Sequence, residues 1–136
     1  MRVPIERVWA LSTDVERTRE WLPAGVLVEK LTEGPLRVGW RYRETRTILG
    51  RRDTRVYEVT ALEPPRRSEV ASRDGGEFRF ALEAEALDVG TTRLTLRGAA
   101  ELGCLGVLAA PLVRHVLRKN MEADFRGLKA WIERSA

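Results

Sequence analysis

Hydrophobic positions change period twice along this chain. From Pro4 to Thr13 they recur at helical spacing, with Ile5, Val8, Trp9 and Leu11 on one side and Pro4 suited to a first turn. A second short helix is expected over Val15–Leu22, with Asp14 either ending the first helix or capping the second, and Pro23-Ala24-Gly25 stopping it. From Val26 the period falls to two. Strands are predicted at Val26–Thr32, Gly39–Leu49, Thr54–Leu62, Arg67–Arg73, Glu77–Leu87 and Thr92–Glu101. Between them lie turn sequences, Glu33-Gly34-Pro35, Gly50-Arg51-Arg52-Asp53, Glu63-Pro64-Pro65, Asp74-Gly75-Gly76 and Asp88-Val89-Gly90. Alternation is clearest in Glu77–Leu87, where Phe78, Phe80, Leu82, Ala84 and Ala86 share a face, and in Thr92–Glu101, where Leu94, Leu96, Gly98 and Ala100 do. Helical spacing returns at Pro111–Arg134: Val113, Leu117, Met121, Phe125, Leu128 and Ile132 form the apolar stripe of a helix about 36 Å long. Pro111 marks its start or kinks it.

Six strands on short turns make an antiparallel meander, preceded by two helices and followed by one. The sheet and the last helix each have one apolar face, so each must cover the other. Two polar residues interrupt the helix stripe. At 100° per residue, Asn120 and Asp124 fall on or beside it, and a carboxylate facing a core is costly unless something there meets it. The helix is therefore expected to close a cavity rather than a solid core.

At 136 residues, with 43% hydrophobic and 32% charged content, the chain suits one domain, residues 1–136, with a single core. The longest apolar stretch, Leu102–Val113, is broken by Gly103, Gly106 and Pro111 and is too short to span a membrane. No signal peptide is visible, and the single Cys104 fits a reducing compartment, so a cytoplasmic location is expected. Cys104 itself reads as a buried, inert thiol. No metal, cofactor or phosphate-loop pattern is present, and His115 falls on the polar helix face, where no Ser/His/Asp arrangement can form around it.

Net charge is +4, and three lysines leave 21 arginines among the 24 basic residues. Seven arginines between Arg37 and Arg55 raise the question of nucleic acid. In Gly39–Leu49, however, Arg41, Arg43, Thr45 and Thr47 alternate with Trp40, Tyr42, Glu44, Arg46 and Ile48. Arginines on the wet face of a half-buried strand explain that pattern, and no nucleic-acid partner is expected.

Several stretches resemble the SRPBCC, or START/Bet v 1-like, superfamily, and within it the polyketide cyclase/dehydrase-like branch. They are Pro4-Ile5-Glu6-Arg7-Val8-Trp9, Trp21-Leu22-Pro23-Ala24-Gly25-Val26 with Val38-Gly39, Val59 through Arg67, Gly90 through Thr95, and Leu128 through Glu133. The motifs are structural and none is catalytic. The resemblance implies an α+β helix-grip fold. In it a curved antiparallel sheet of six to seven strands wraps a long C-terminal helix around a ligand cavity, with two short N-terminal helices. It also implies a carrier or sensor of a small hydrophobic molecule such as a lipid, polyketide or aromatic compound, or a cyclase or dehydratase. The family ordinarily opens with a strand before its first helix, whereas only Met1-Arg2-Val3 precede Pro4. Either the natural start lies upstream or that strand is missing. If it is missing, the edge of Thr92–Glu101 is open to a second chain, and a homodimer is expected.

The residues expected to meet the ligand are Trp40, Tyr42, Arg46, Phe78, Phe80, Leu94, Leu117, Asn120, Met121 and Asp124. Asp124 has three readings: an internal pair with Arg46 or Tyr42, an anchor for a ligand carbonyl or hydroxyl, and an acid kept protonated by burial. Trp40, Tyr42, Glu44 and Arg46 read as a gradient from apolar cavity to mouth, or as ordinary packing with a wet end. Phe78 and Phe80 are core or pocket wall. Trp21 and Pro23 are expected to pack over the mouth.

Overall fold

The computed structural model describes residues 1–102 and 109–136. The expectations for Cys104, Gly103 and Gly106 lie outside the described residues. Helix α1 spans Ile5–Ser12, a 3₁₀ helix spans Val15–Glu20, and the strands are β1 Leu27–Lys30, β2 Arg41–Ile48, β3 Arg51–Glu63, β4 Arg67–Ser72, β5 Glu77–Asp88 and β6 Thr91–Glu101. Helix α2 runs Ala110–Ser135, with Pro111 in its first turn, where its missing N–H is not needed. The sheet is fully antiparallel in the order β1-β2-β3-β4-β5-β6, and it wraps the long helix in the expected helix-grip arrangement.

One turn differs from expectation in a way that matters. The β2–β3 hairpin closes on two residues, Leu49 and Gly50, with φ of 51° and 78°. Both are left-handed, as in a type I′ turn, whose twist matches that of the flanking strands. Arg51, Arg52 and Asp53, expected in the turn, therefore belong to β3, with Ile48 opposite Arg51 and Arg46 opposite Asp53. Asp53 and Arg55 thereby join Tyr57 on the concave face.

The solid core sits at one end of the molecule. Val3, Val8 and Leu11 meet Leu128, Trp131 and Ile132, with Val8 and Ile132 at 0% exposure. Each fully buried aliphatic of this kind contributes about 1.5–3 kcal/mol. The first residues also shorten the open edge of β6. Thr92 N donates to Met1 O at 2.9 Å, the Met1 amino group donates to Thr92 O at 2.8 Å, and Thr92 Oγ1 donates to Val3 O at 2.7 Å. Met1–Val3 thus lie along the start of β6.

Helix α2 carries one glycine, Gly127, and space explains it. A Cβ there would collide with the Trp21 carbonyl oxygen, a backbone atom that cannot swing away. Helix propensity alone favours Gly127→Ala by about 1 kcal/mol. The collision reverses the sign, and a net loss of about 1–2 kcal/mol is expected, read as a lower urea midpoint at unchanged m-value.

Candidate functional site

Beyond the Leu128 end of the core, the sheet curves away from α2 and leaves a hollow of about 470 Å³. Its walls are the inward faces of β2 to β6 and the Val113–Leu128 stripe of α2. Most of the lining is apolar: Ile48, Val59, Val70, Phe80, Leu96 and Val116 are typical.

The ionisable groups of the sheet wall enter along one line, set by the register of β2 on β3. Tyr42 lies opposite Tyr57, Glu44 opposite Arg55, and Arg46 opposite Asp53. Tyr42 and Tyr57 stack at 5.5 Å between centroids, and Tyr57 leans on Phe80 at 5.9 Å. Further along, Arg46 Nη2 donates to Glu44 Oε1 and to Asp124 Oδ2, both at 2.9 Å. Arg55 Nε donates to Asp53 Oδ2 at 2.8 Å, and its guanidinium covers the Phe78 ring at 4.1 Å. Two carboxylates thus share one guanidinium, with a neutralised Asp53–Arg55 pair beside them.

Burial decides the protonation tendencies. It pushes the Glu44 carboxyl up; Arg46 opposes this, and Asp124 and Asp53 add to it. Burial also pushes Asp124 up, against the pull of Arg46. Tyr42 and Tyr57 are raised chiefly by burial and stay neutral phenols. Asp124 Oδ1 and Trp21 Nε1 are buried polar atoms without a hydrogen-bond partner among the described residues. Arg46 Nε and Nη1 also take none of the hydrogen bonds formed among those residues.

Eight of the ten residues expected to meet a ligand line this hollow: Tyr42, Arg46, Phe78, Phe80, Leu117, Asn120, Met121 and Asp124. Trp40 does not. It is 3% exposed, donates from Nε1 to Gly34 O at 3.3 Å, and packs on Tyr42 from outside the lining. Leu94 does not either, since it packs against the solid core and borders a separate crevice between β6 and α2. Both are on the expected side of the sheet, but Trp40 falls just ahead of β2 and Leu94 near the start of β6, where the sheet meets other packing. Trp21 lines the floor beside Leu128 rather than the mouth, and Pro23 is exposed away from it. Asp53, Arg55, Tyr57, Val59, Ser68 and Val70 were missed. The alternation Asp53, Arg55, Tyr57, Val59 was the available signal, hidden by placing the turn too late.

Several arginines of the convex face are compensated by glutamates. Arg43 meets Glu29 at 3.0 Å, Arg67 meets Glu69 at 2.6 Å, and Arg79 meets Glu77 at 2.6 Å and Glu69 at 2.8 Å. Among the described residues no group of three or more His, Cys, Asp or Glu side chains is placed to hold a metal ion. No helix there is long and apolar enough to cross a membrane.

Residues 1–133 match the family described as polyketide cyclase/dehydrase and lipid transport. Among solved structures, TTHA0849 from Thermus thermophilus is similar at a TM-score of 0.81 and 22% identity, over 100% of this chain and 94% of that one. The Zhui aromatase/cyclase from Streptomyces sp. R1128 is similar at 0.77 and 21% identity, over 98% and 88% of the two chains. Ara h 8.0201 is similar at 0.73 and 15% identity, over 96% and 90%. At these identities the likeness is one of fold. Among curated protein sequences no significant match is found.

Proposed function

The chain belongs to the polyketide cyclase/dehydrase and lipid transport family of the SRPBCC superfamily, and from that premise we propose that it binds a small hydrophobic molecule inside the hollow, as a carrier or sensor. One observation carries this reading: a cavity of about 470 Å³ whose mostly apolar wall is crossed by a line of ionisable groups centred on Arg46. Its size lies within the range of about 300–1,000 Å³ usual for small-molecule pockets, and a few convergent polar groups are what orient a guest there. The Arg46 N–H groups left over from Glu44 and Asp124 suit a carbonyl or hydroxyl oxygen. An anionic head is disfavoured, since two carboxyls already surround that guanidinium.

Native mass spectrometry of protein purified from its own host tests the proposal, with a co-purifying hydrophobic molecule as the expected result. A neutral fluorescent probe, N-phenyl-1-naphthylamine, should bind and be displaced by that molecule. Asp124→Asn keeps an acceptor for Arg46 and leaves Glu44 to balance its charge. It should change guest affinity about tenfold while shifting stability by less than about 1 kcal/mol. A large fall in melting temperature with unchanged binding would show that the role is structural.

A second reading has its own support. Glu44 and Asp124 are both biased toward their protonated forms beside a fixed cation, an arrangement that can hold and deliver a proton in a cyclisation or dehydration. Loss of water from a β-hydroxy ketone, abolished in Asp124→Asn, would establish it. Pairing of a second chain along the remaining Leu94–Glu101 edge belongs to this proposal too, and a monomeric mass at micromolar concentration counts against it.

A further inference from the structure

Two of the large hydrophobic side chains left exposed, Leu49 and Leu112, stand at the end of the hollow opposite Val8 and Ile132. Strand register places them there. Thr92 and Ala86 lie beside α1, whereas Glu101 pairs with Glu77 at the other end of the sheet. Ser72, at the same far end as Glu77, terminates β4. The β2–β3 hairpin reaches beyond it, since Glu58 already pairs with Ala71 and the tip is seven residues further on, at Arg51. Helix α2 runs back from this end, with Val113 in its first turn and Leu128 at the floor of the hollow. The tip of the hairpin and the start of α2 therefore stand on two sides of one opening. Leu49 and Val113 both line it.

At that opening Leu49 is 66% exposed, and Leu112, in the first turn of α2, is 52% exposed. Arg51, Arg52 and Arg114 are exposed beside them, with Arg118 and Lys119 one turn further along. None of these five cations has an ion-pair partner among the described residues. On the convex face Arg43, Arg67, Arg79, Arg93 and Arg97 each meet a glutamate. The acids at this end are Glu101, which is exposed, Glu122 on α2, Glu77, which meets Arg79 at 2.6 Å, and Asp74, whose carboxylate accepts from Val56 N. The balance here is basic and uncompensated, around two protruding leucines.

We propose that this end docks on the surface of an anionic lipid bilayer, with Leu49 and Leu112 entering the headgroup layer and the arginines meeting lipid phosphates. Charge and shape favour that occupant. A bilayer offers a flat sheet of phosphates that both lips of the opening touch at once. Apolar insertion and basic attraction are also the two signals that together make peripheral binding stable. The mouth of the hollow then opens at the interface, where a hydrophobic guest can pass without crossing bulk water. Docking of this kind does not depend on which guest the hollow holds.

Co-sedimentation with large vesicles tests it, using phosphatidylcholine alone and phosphatidylcholine with about 30 mol% phosphatidylglycerol, at about 0.1 M salt. The wild-type protein should bind the anionic vesicles and bind neutral ones at least about tenfold more weakly. Leu49→Asn tolerates the left-handed backbone at that turn and should reduce binding about tenfold, as should Arg51→Glu combined with Arg52→Glu. Arg93→Glu combined with Arg97→Glu, on the convex face, should leave it unchanged. Circular dichroism confirms that each variant is folded. Absence of wild-type binding, an equal loss in the convex-face variant, or full binding by Leu49→Asn would overturn the proposal. So would capture of a soluble acidic protein by the same residues without any vesicle binding.

Discussion

Arg46→Met is expected to cost about 3 kcal/mol of folding stability at pH 8, the low end for removing one partner from buried charges. The low end applies because Glu44 and Asp124 keep 17% and 18% side-chain exposure and can neutralise themselves by taking up protons. That escape gives the prediction its pH dependence. In the wild-type fold both carboxyls already titrate above their ordinary values of 4.5 and 3.8, because burial outweighs Arg46. A carboxyl raised in this way takes up its proton more readily folded than unfolded. Its stabilising contribution is complete below the ordinary value and disappears as pH climbs through the raised one. Without the guanidinium both rise further, so the loss extends to higher pH. Urea unfolding of Arg46→Met should show a small deficit near pH 5 and a large one at pH 8. A deficit under about 1 kcal/mol at pH 8 would mean that the Arg46 bridge contributes little.

Val70→Trp is expected to abolish probe binding in the hollow, by about 100-fold or about 2.8 kcal/mol. Val70 sits at the centre of the concave face between Val59 and Phe80, so an indole there projects into the space a guest would occupy. Stability separates a hollow from a packed core. Inserting that volume into a packed core costs about 1–3 kcal/mol. Filling a hollow buries new apolar surface and leaves stability level or higher. Titration of N-phenyl-1-naphthylamine beside a denaturant melt reads both quantities on one sample. Undiminished probe binding would place the guest elsewhere.

Much of this was legible along the chain because face is a local property. Tyr42, Glu44 and Arg46 share a side of β2, and Asp124 falls on the inner stripe of α2, by periodicity alone. Depth is not local. Trp40, just ahead of β2, and Leu94 are on the correct side of the sheet but too near the packed ends to reach the hollow. The length of the β2–β3 turn was also hidden. It depends on Leu49 adopting a left-handed backbone that the side chain itself disfavours, which the twist of the paired strands imposes.

The order of elements, their inward faces and an acid on the inner side of the last helix follow from the sequence, since periods of 2 and 3.6 are written in neighbouring residues. Tertiary structure decided that Arg46 meets Asp124 across 78 residues and that Asp53 and Arg55 turn inward. It also set where the hollow ends and left the basic rim unpaired. Each of these depends on the distance between segments far apart in the chain, which sheet register and curvature set and no local pattern encodes.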